Sequence, residues 1–259
     1  MDVDGAGVVV TGAGHGIGRA IAARMAAQGA RVVVNDLDAE AAHAVAKEIG
    51  GGIAAPGDAA SEEGVAALVS TARDHLGKID VYFANAGIDV GQGLDAPEED
   101  WARALDVNVM AHVRAARQLV PAWLETGGGR FVVTASAAGL LTMLGSAPYS
   151  VTKHAAVGFA EWLSATYGHR GIVVQAICPQ GVKTRMLEEA GPLQELLSHD
   201  TALEPEQVAD TVWHAMQDDR FLILPHAEVA DYYRLRASDT DRWLAGMRKL
   251  QRKLDEATQ

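Results

Sequence analysis

Short runs of β-branched and apolar residues alternate along this chain with stretches in which apolar positions recur every three or four residues, as far as about residue 225. A strand buried on both faces needs a continuous apolar run, whereas a surface helix needs one apolar stripe. The pattern predicts strands near 7–11, 31–36, 52–57, 79–84, 131–136, 172–178 and 220–224. Helices are predicted over 19–28, 39–49, 61–76, 101–124, 147–167 and 205–217, with Ser61, Glu62 and Glu63 as start signals for the third. Such alternation implies an α/β fold: a single doubly wound domain over 1–259, with a mostly parallel sheet of about seven strands and helices on both faces. Ligands then bind beyond the carboxyl ends of the strands.

Two segments fall outside the alternation. Residues 185–203 mix charged positions with Met186, Leu187, Leu193, Leu196 and Leu197 around Gly191-Pro192, which fits a lid over a site. Residues 226–259 form a charged helical extension in which Trp243, Met247, Leu250 and Leu254 make one apolar stripe. The stripe should pack against the body or a neighbouring subunit.

Composition narrows the partners. The 259 residues are 49% hydrophobic and 22% charged, ordinary for a folded soluble chain, and a formal charge of -12 offers no attraction to nucleic acid or an anionic membrane. A small neutral ligand suits it better. Cys178, the sole cysteine, excludes an internal disulfide and any multi-cysteine metal site, which suits a reducing compartment. The acidic N-terminus is unlike a signal peptide, and no apolar run reaches the roughly 18 to 20 residues of a membrane span, so a cytoplasmic location is expected.

The first strand ends in Gly12-Ala-Gly14-His15-Gly16-Ile17-Gly18. A glycine loop between strand and helix lets backbone N–H groups approach a pyrophosphate, although it also serves a tight turn without a ligand. Asp36, at the end of the second strand and 18 residues after Gly18, is placed to accept hydrogen bonds from the adenosine ribose or to cap the helix near Asp38. On the first reading it would repel a 2′-phosphate, which favours NAD(H) over NADP(H); His15 is a poor phosphate anchor. Asn85-Ala86-Gly87 follows the fourth strand, where glycine permits close approach of backbone to a ligand and asparagine can fix the turn. Asn108, inside a helix, is explained by a side-chain hydrogen bond or a local kink.

Tyr149 and Lys153 lie four residues apart on one helical face, where an ammonium would stabilise a tyrosinate. Tyr149 is therefore a candidate acid/base, and Ser136 closes the strand that precedes it.

Taken together, Thr11-Gly-x-x-x-Gly-x-Gly18, Asp58, Asn85-Ala-Gly87, Asn108, Ser136, Tyr149-x-x-x-Lys153 and the 179–184 segment resemble the short-chain dehydrogenase/reductase family, in its order and at its separations. The resemblance implies that Tyr149 is the acid/base, that Ser136 bonds the substrate oxygen, and that Lys153 holds the nicotinamide ribose and lowers the Tyr149 pKa. Asn108 would organise a water in a proton relay. The cofactor would be met by the glycine loop, Asp36 with Leu37, Asp58 with Ala59, the Asn85 turn, and Pro179, Gly181, Val182 and Thr184. Gln180 stands where the family has glycine, which puts the local backbone and the pocket wall in question. The resemblance further implies a homotetramer whose helices at 101–124 and 147–167 pair between subunits.

Hydride transfer needs a base for the hydroxyl proton and no metal. Leu140, Leu141, Met143 and Leu144, with Met186, Leu187 and Gln180, suggest an apolar pocket, and no arginine cluster is evident. The expected substrate is a hydrophobic secondary alcohol and its ketone. Reduction of a 3-oxoacyl thioester is the alternative within the fold, and a catalytically silent NAD(H) sensor the alternative outside enzymes; the complete residue set argues against a sensor.

Overall fold

The computed structural model describes residues 2–91, 93–189 and 202–257. Seven parallel strands form one sheet: β1 (Gly7–Val10), β2 (Arg31–Val34), β3 (Ile53–Ala54), β4 (Val81–Ala84), β5 (Gly129–Thr134), β6 (Ile172–Ile177) and β7 (Leu222–Ile223), in spatial order β3-β2-β1-β4-β5-β6-β7. The order reverses at β1, which pairs Val8 with Val32 of β2 and with Val81 of β4. That reversal opens a crevice at the carboxyl ends of β1 and β4.

Strand alternation sends Val9, Val33, Tyr82, Phe131 and Val133 to one apolar layer and Val8, Val10, Val32, Val34 and Phe83 to the other. The first layer is covered by α3 (Glu62–Leu76), α5 (Ala111–Thr126) and α7 (Ala147–Tyr167), with Tyr82 stacked on Phe131 at 5.6 Å and Trp123 edge-on to Phe131 at 6.4 Å. The second is covered by α1 (Gly16–Ala27), α2 (Ala39–Glu48) and α9 (Pro205–Ala215). Burial on both faces explains why the strands read as unbroken apolar runs.

Several boundaries differ from the sequence expectation. α1 begins inside the glycine loop, at Gly16. The two edge strands have only two residues each. The expected helix over 101–124 is a composite of α4 (Glu98–Leu105), a π-helical turn (Asp106–Met110) and α5, and Asn108 sits in that turn. A single turn, α6 (Ala138–Leu141), follows Ser136 where no helix was expected, and α8 (Arg185–Glu188) opens the segment read as a lid. Most of that segment, with Leu193, Leu196 and Leu197, lies outside the described residues.

The extension divides at Asp239 into α10 (Val229–Ser238) and α11 (Thr240–Ala257). Of the apolar stripe, Trp243 packs against the first layer, while Leu250 stays 36% exposed, so the stripe is only partly covered within one chain. Arg236 of α10 donates to the Leu140 carbonyl and approaches His154 Nε2 at 3.0 Å, tying the extension to α6 and α7.

Candidate active site

The crevice is a cleft of about 550 Å³ bounded by the glycine loop, the ends of β2 to β5, α6, the start of α7 and the segment after β6. Its floor is built around Thr11 and Asn85. The Thr11 hydroxyl donates to the Phe83 carbonyl and accepts from the N–H groups of Asn85 and Ala86. The Asn85 amide donates to the carbonyls of Thr11 (2.9 Å) and Gly12 (3.2 Å), and its oxygen accepts from the Thr134 hydroxyl. One side chain thus joins the ends of β1, β4 and β5 and shapes the glycine loop.

The loop itself requires glycine. Gly12 has φ of 60°, and a Cβ on Gly18 would lie 2.1 Å from the Gly12 carbonyl oxygen and 2.5 Å from Asn85 Nδ2. His15 caps α1 without a side-chain bond, and no acidic residue occupies its first turn, so the free N–H groups of that turn are left for an anion. Gly12, His15, Gly16, Ile17 and Gly18 border the cleft; Gly14 instead packs on Asp36 and Ala41.

Asp36 and Leu37 also border it. Asp36 Oδ2 accepts from Gly14 N at 2.8 Å and Oδ1 from Asp38 N at 3.0 Å, while the helix cap is provided by Asp38, which accepts from Ala41 N. Asp58 and Ala59 stand beside them. Burial alone would raise the Asp58 carboxyl, but hydrogen bonds from Ser61 and Ala60 outweigh it and hold it below its ordinary value. Asn35, not singled out from the sequence, lines this end and donates to the carbonyls of Ala55 (2.9 Å) and Gly57 (3.0 Å). A glycine cradle at a helix N-terminus, with carboxylates set back beside it, fits a dinucleotide.

At the other end Ser136, Tyr149 and Lys153 converge, brought together by β5 and the first turns of α7. Ser136 Oγ accepts from Ala138 N at 3.1 Å and is close enough to the Tyr149 phenol to favour its ionised form. Lys153 Nζ donates to the Thr134 carbonyl at 2.9 Å and lies 5.4 Å from the Tyr149 ring centre. Gly87 closes over them; a Cβ there would stand 3.2 Å from both Lys153 Nζ and Asn108 Oδ1.

The protonation equilibria differ from the sequence expectation. Burial pushes Tyr149 up to about 12, with the Ser136 hydroxyl opposing and the Asp89 charge adding, and burial draws Lys153 down to about 8. In the protein alone desolvation therefore outweighs any depression of the phenol by the ammonium. Asn108 is fully buried behind the cleft, with its amide committed to both backbone groups of Ile88 and to Thr152. Both explanations offered for it, a hydrogen bond and a local helix irregularity, hold together.

The wall before Tyr149 is only partly as expected. Leu141 and Met143 line the cleft, whereas Leu140 is buried in the core beneath it and Leu144 is not on its wall. In the single turn of α6 consecutive residues point about 100° apart, so Leu140 and Leu141, both buried, do not share one direction and only Leu141 reaches the cleft. Thr142, after Leu141, has φ of 76°, a strained backbone for a β-branched residue, and the Ser150 hydroxyl holds the next residue by bonding both Met143 N and Met143 O. After β6, Pro179, Gln180, Gly181, Val182, Thr184, Met186 and Leu187 all border the cleft. Gln180 does not have positive φ, so no glycine is required there, and its N–H is held by His226 Nδ1 at 3.1 Å. Asp89, Arg103 and Val107 line the cleft as well; as single residues in a loop or on a helix they carry no spacing signal.

Residues 6–195 match the family described as short chain dehydrogenase. This chain belongs to the short-chain dehydrogenase/reductase family. Among curated relatives of this family, the 1-deoxy-11-beta-hydroxypentalenate dehydrogenase of Streptomyces exfoliatus is 38% identical, over 91% of this chain and 87% of its own length. The cyclohexanol dehydrogenase of Acinetobacter sp. is 34% identical, over 86% of this chain and 92% of its own. A short-chain dehydrogenase/reductase from Burkholderia phymatum, solved in complex with NAD, superposes with a TM-score of 0.87 at 29% identity, covering 93% of this chain and 96% of its own. The protein is thus an oxidoreductase with a site for a nicotinamide cofactor, on a seven-stranded parallel Rossmann-type sheet. Among the described residues no helix is long and apolar enough to cross a membrane.

Proposed function

We propose that the enzyme interconverts a hydrophobic secondary alcohol and its ketone, using NAD(H). The observation that carries this reading is the convergence of Ser136, Tyr149 and Lys153 in a cleft whose lining includes Leu141, Met143, Met186 and Leu187. The glycine loop and Gly87 would hold the dinucleotide, and Asp36 would face its adenosine ribose, where a carboxylate disfavours a 2′-phosphate. When bound, the nicotinamide supplies hydride acceptance or donation and, in its oxidised form, a positive charge.

The chain's own groups handle the proton. Tyr149 takes it from the alcohol or returns it to the ketone, and Ser136 positions the oxygen as charge develops. Lys153, held by the Thr134 carbonyl, supplies positive charge beside the phenol. The apolar wall excludes water and selects an apolar carbon skeleton.

The relatives named for cyclohexanol and for a hydroxylated pentalenate lend support to an alicyclic substrate. Assembly of copies through α7 belongs to the same reading, supported by Trp162 and Val151, which are 56% and 50% exposed on that helix. The deciding experiment is NAD-dependent turnover across a panel of alicyclic, aryl and steroidal alcohols, with a 3-oxoacyl thioester as comparison. Oxidation of alicyclic alcohols with NAD is expected; turnover confined to the thioester with NADPH refutes the proposal.

A further inference from the structure

We propose that Asp89 forms a polar subsite in the substrate end of the cleft, and that the substrate carries a second hydroxyl group, close to the reacting carbon, which donates to it. The inference rests on the alcohol–ketone reading above and narrows it to diols and hydroxyketones.

Asp89 lies two residues after Gly87 on the loop leaving β4, and it lines the same cleft as Ser136 and Tyr149. Its position is fixed from one side. Asp89 Oδ1 accepts from the Ser146 hydroxyl at 2.7 Å, and Ser146 is the N-cap of α7, three residues before Tyr149. A backbone bond from Gly93 N to Gly145 O, 3.0 Å, ties the same two loops together again. The carboxylate is therefore registered against the helix that carries the acid/base.

Capping does not account for it. The Ser146 hydroxyl caps α7 by accepting from Tyr149 N, and for its own proton it has a second acceptor in the Gly91 carbonyl at 3.3 Å. Among the described residues, Asp89 has no ion-pair partner and its Oδ2 has no donor. Partial burial raises its pKa, the bond from Ser146 and the charge of Lys153 working against that rise, and its own charge acts on Tyr149 in turn. Asp89 is exposed where it lines the cleft, so Oδ2 stands open to a donor that enters there while Ser146 holds Oδ1.

A carboxylate only accepts, so the arriving group must donate. An ammonium would enter beside Lys153 and be repelled by it; a hydroxyl meets no such opposition.

The test compares kcat/KM for the cyclohexanediol isomers with kcat/KM for cyclohexanol, as a ratio within each protein. The wild type should prefer at least one diol about tenfold or more, the effect of one hydrogen bond to a charged acceptor. Asp89→Leu should bring the ratio to about one or below. Asp89→Asn keeps an oxygen for Ser146 and turns an amide donor to the cleft, so it should lose the diol preference and gain in the ratio of cyclohexanedione to cyclohexanone reduction. NADH binding by each variant confirms that it is folded, and Asp89→Asn serves where Asp89→Leu does not fold. A wild-type ratio near one, or a ratio unmoved by either substitution, overturns the subsite while leaving the alcohol–ketone reading intact. Turnover of neither alcohol class by the wild type overturns both.

Discussion

Asn108 grips Ile88 at both ends of its peptide: Oδ1 accepts from Ile88 N and Nδ2 donates to Ile88 O, each at 2.9 Å, and Nδ2 also reaches Thr152 Oγ1 at 3.0 Å. One buried amide thus joins the π-helical turn, the loop after β4 and α7. Asn108→Ala strands the Ile88 N–H and carbonyl and opens a small void, so it should cost about 2 to 4 kcal/mol in urea unfolding. Turnover should fall with it, because the loop after β4 and the α7 turn at Thr152 lose the side chain that joins them. A loss under about 1 kcal/mol would show that water replaces the amide.

Tyr149→Phe removes one oxygen from a residue whose ring is otherwise packed. The variant should bind NADH within about threefold of wild type and lose kcat by roughly 10³-fold, within the range of acid/base contributions. Near-normal turnover would remove Tyr149 from the reaction.

Lys153 carries a pH-dependent stability term whose sign follows from burial. Its ordinary value of 10.5 falls to about 8 in the folded chain. Below about pH 8 the amine is protonated in folded and unfolded chains alike, and the burial penalty, on the order of 3 kcal/mol before the Thr134 bond is counted, is felt in full. Between about pH 8 and 10.5 the unfolded chain keeps a proton the folded one has released, so the wild type gains stability as pH rises. Lys153→Met should therefore be inactive yet more stable than wild type at pH 7, with its advantage shrinking from pH 8 towards pH 10. Thermal unfolding of both proteins along that series checks the slope; a constant difference contradicts it.

Asp36 has one oxygen on Gly14 N and the other on Asp38 N. Asp36→Ala should shift the NADP-to-NAD ratio of kcat/KM towards NADP by about 10-fold or more, through loss of like-charge repulsion. It should also cost about 1 kcal/mol of stability, because Gly14 N loses its acceptor. A wild type that already prefers NADPH would contradict the assignment of Asp36.

The architecture was legible because β1, β4 and β5 are buried on both faces and read as β-branched runs, and because Gly12, Gly16 and Gly18 have no side chain to obstruct a close approach. Two-residue edge strands and the four-residue α6 are too short to show a period, which is why Leu140 was expected on the cleft wall beside Leu141. Spacing brought Tyr149 and Lys153 together but said nothing of desolvation, and desolvation sets the direction of both pKa shifts. Asp89 and Asn35 belong to loops and strand ends, where the meaning of a polar residue depends on neighbours far away in sequence.

The reversal of strand order at β1 also dictates when the cleft can exist during synthesis. Thr11 and Asn85 are 74 residues apart, and β1 receives its β4 neighbour only after β2, α2, β3 and α3 have been made. A nascent chain can emerge with its glycine loop complete in sequence but without the strand end that holds it in shape. The glycine loop thus gains its shape only with long-range closure, and a chain arrested before β4 would carry the loop without the Asn85 amide that holds the carbonyls of Thr11 and Gly12.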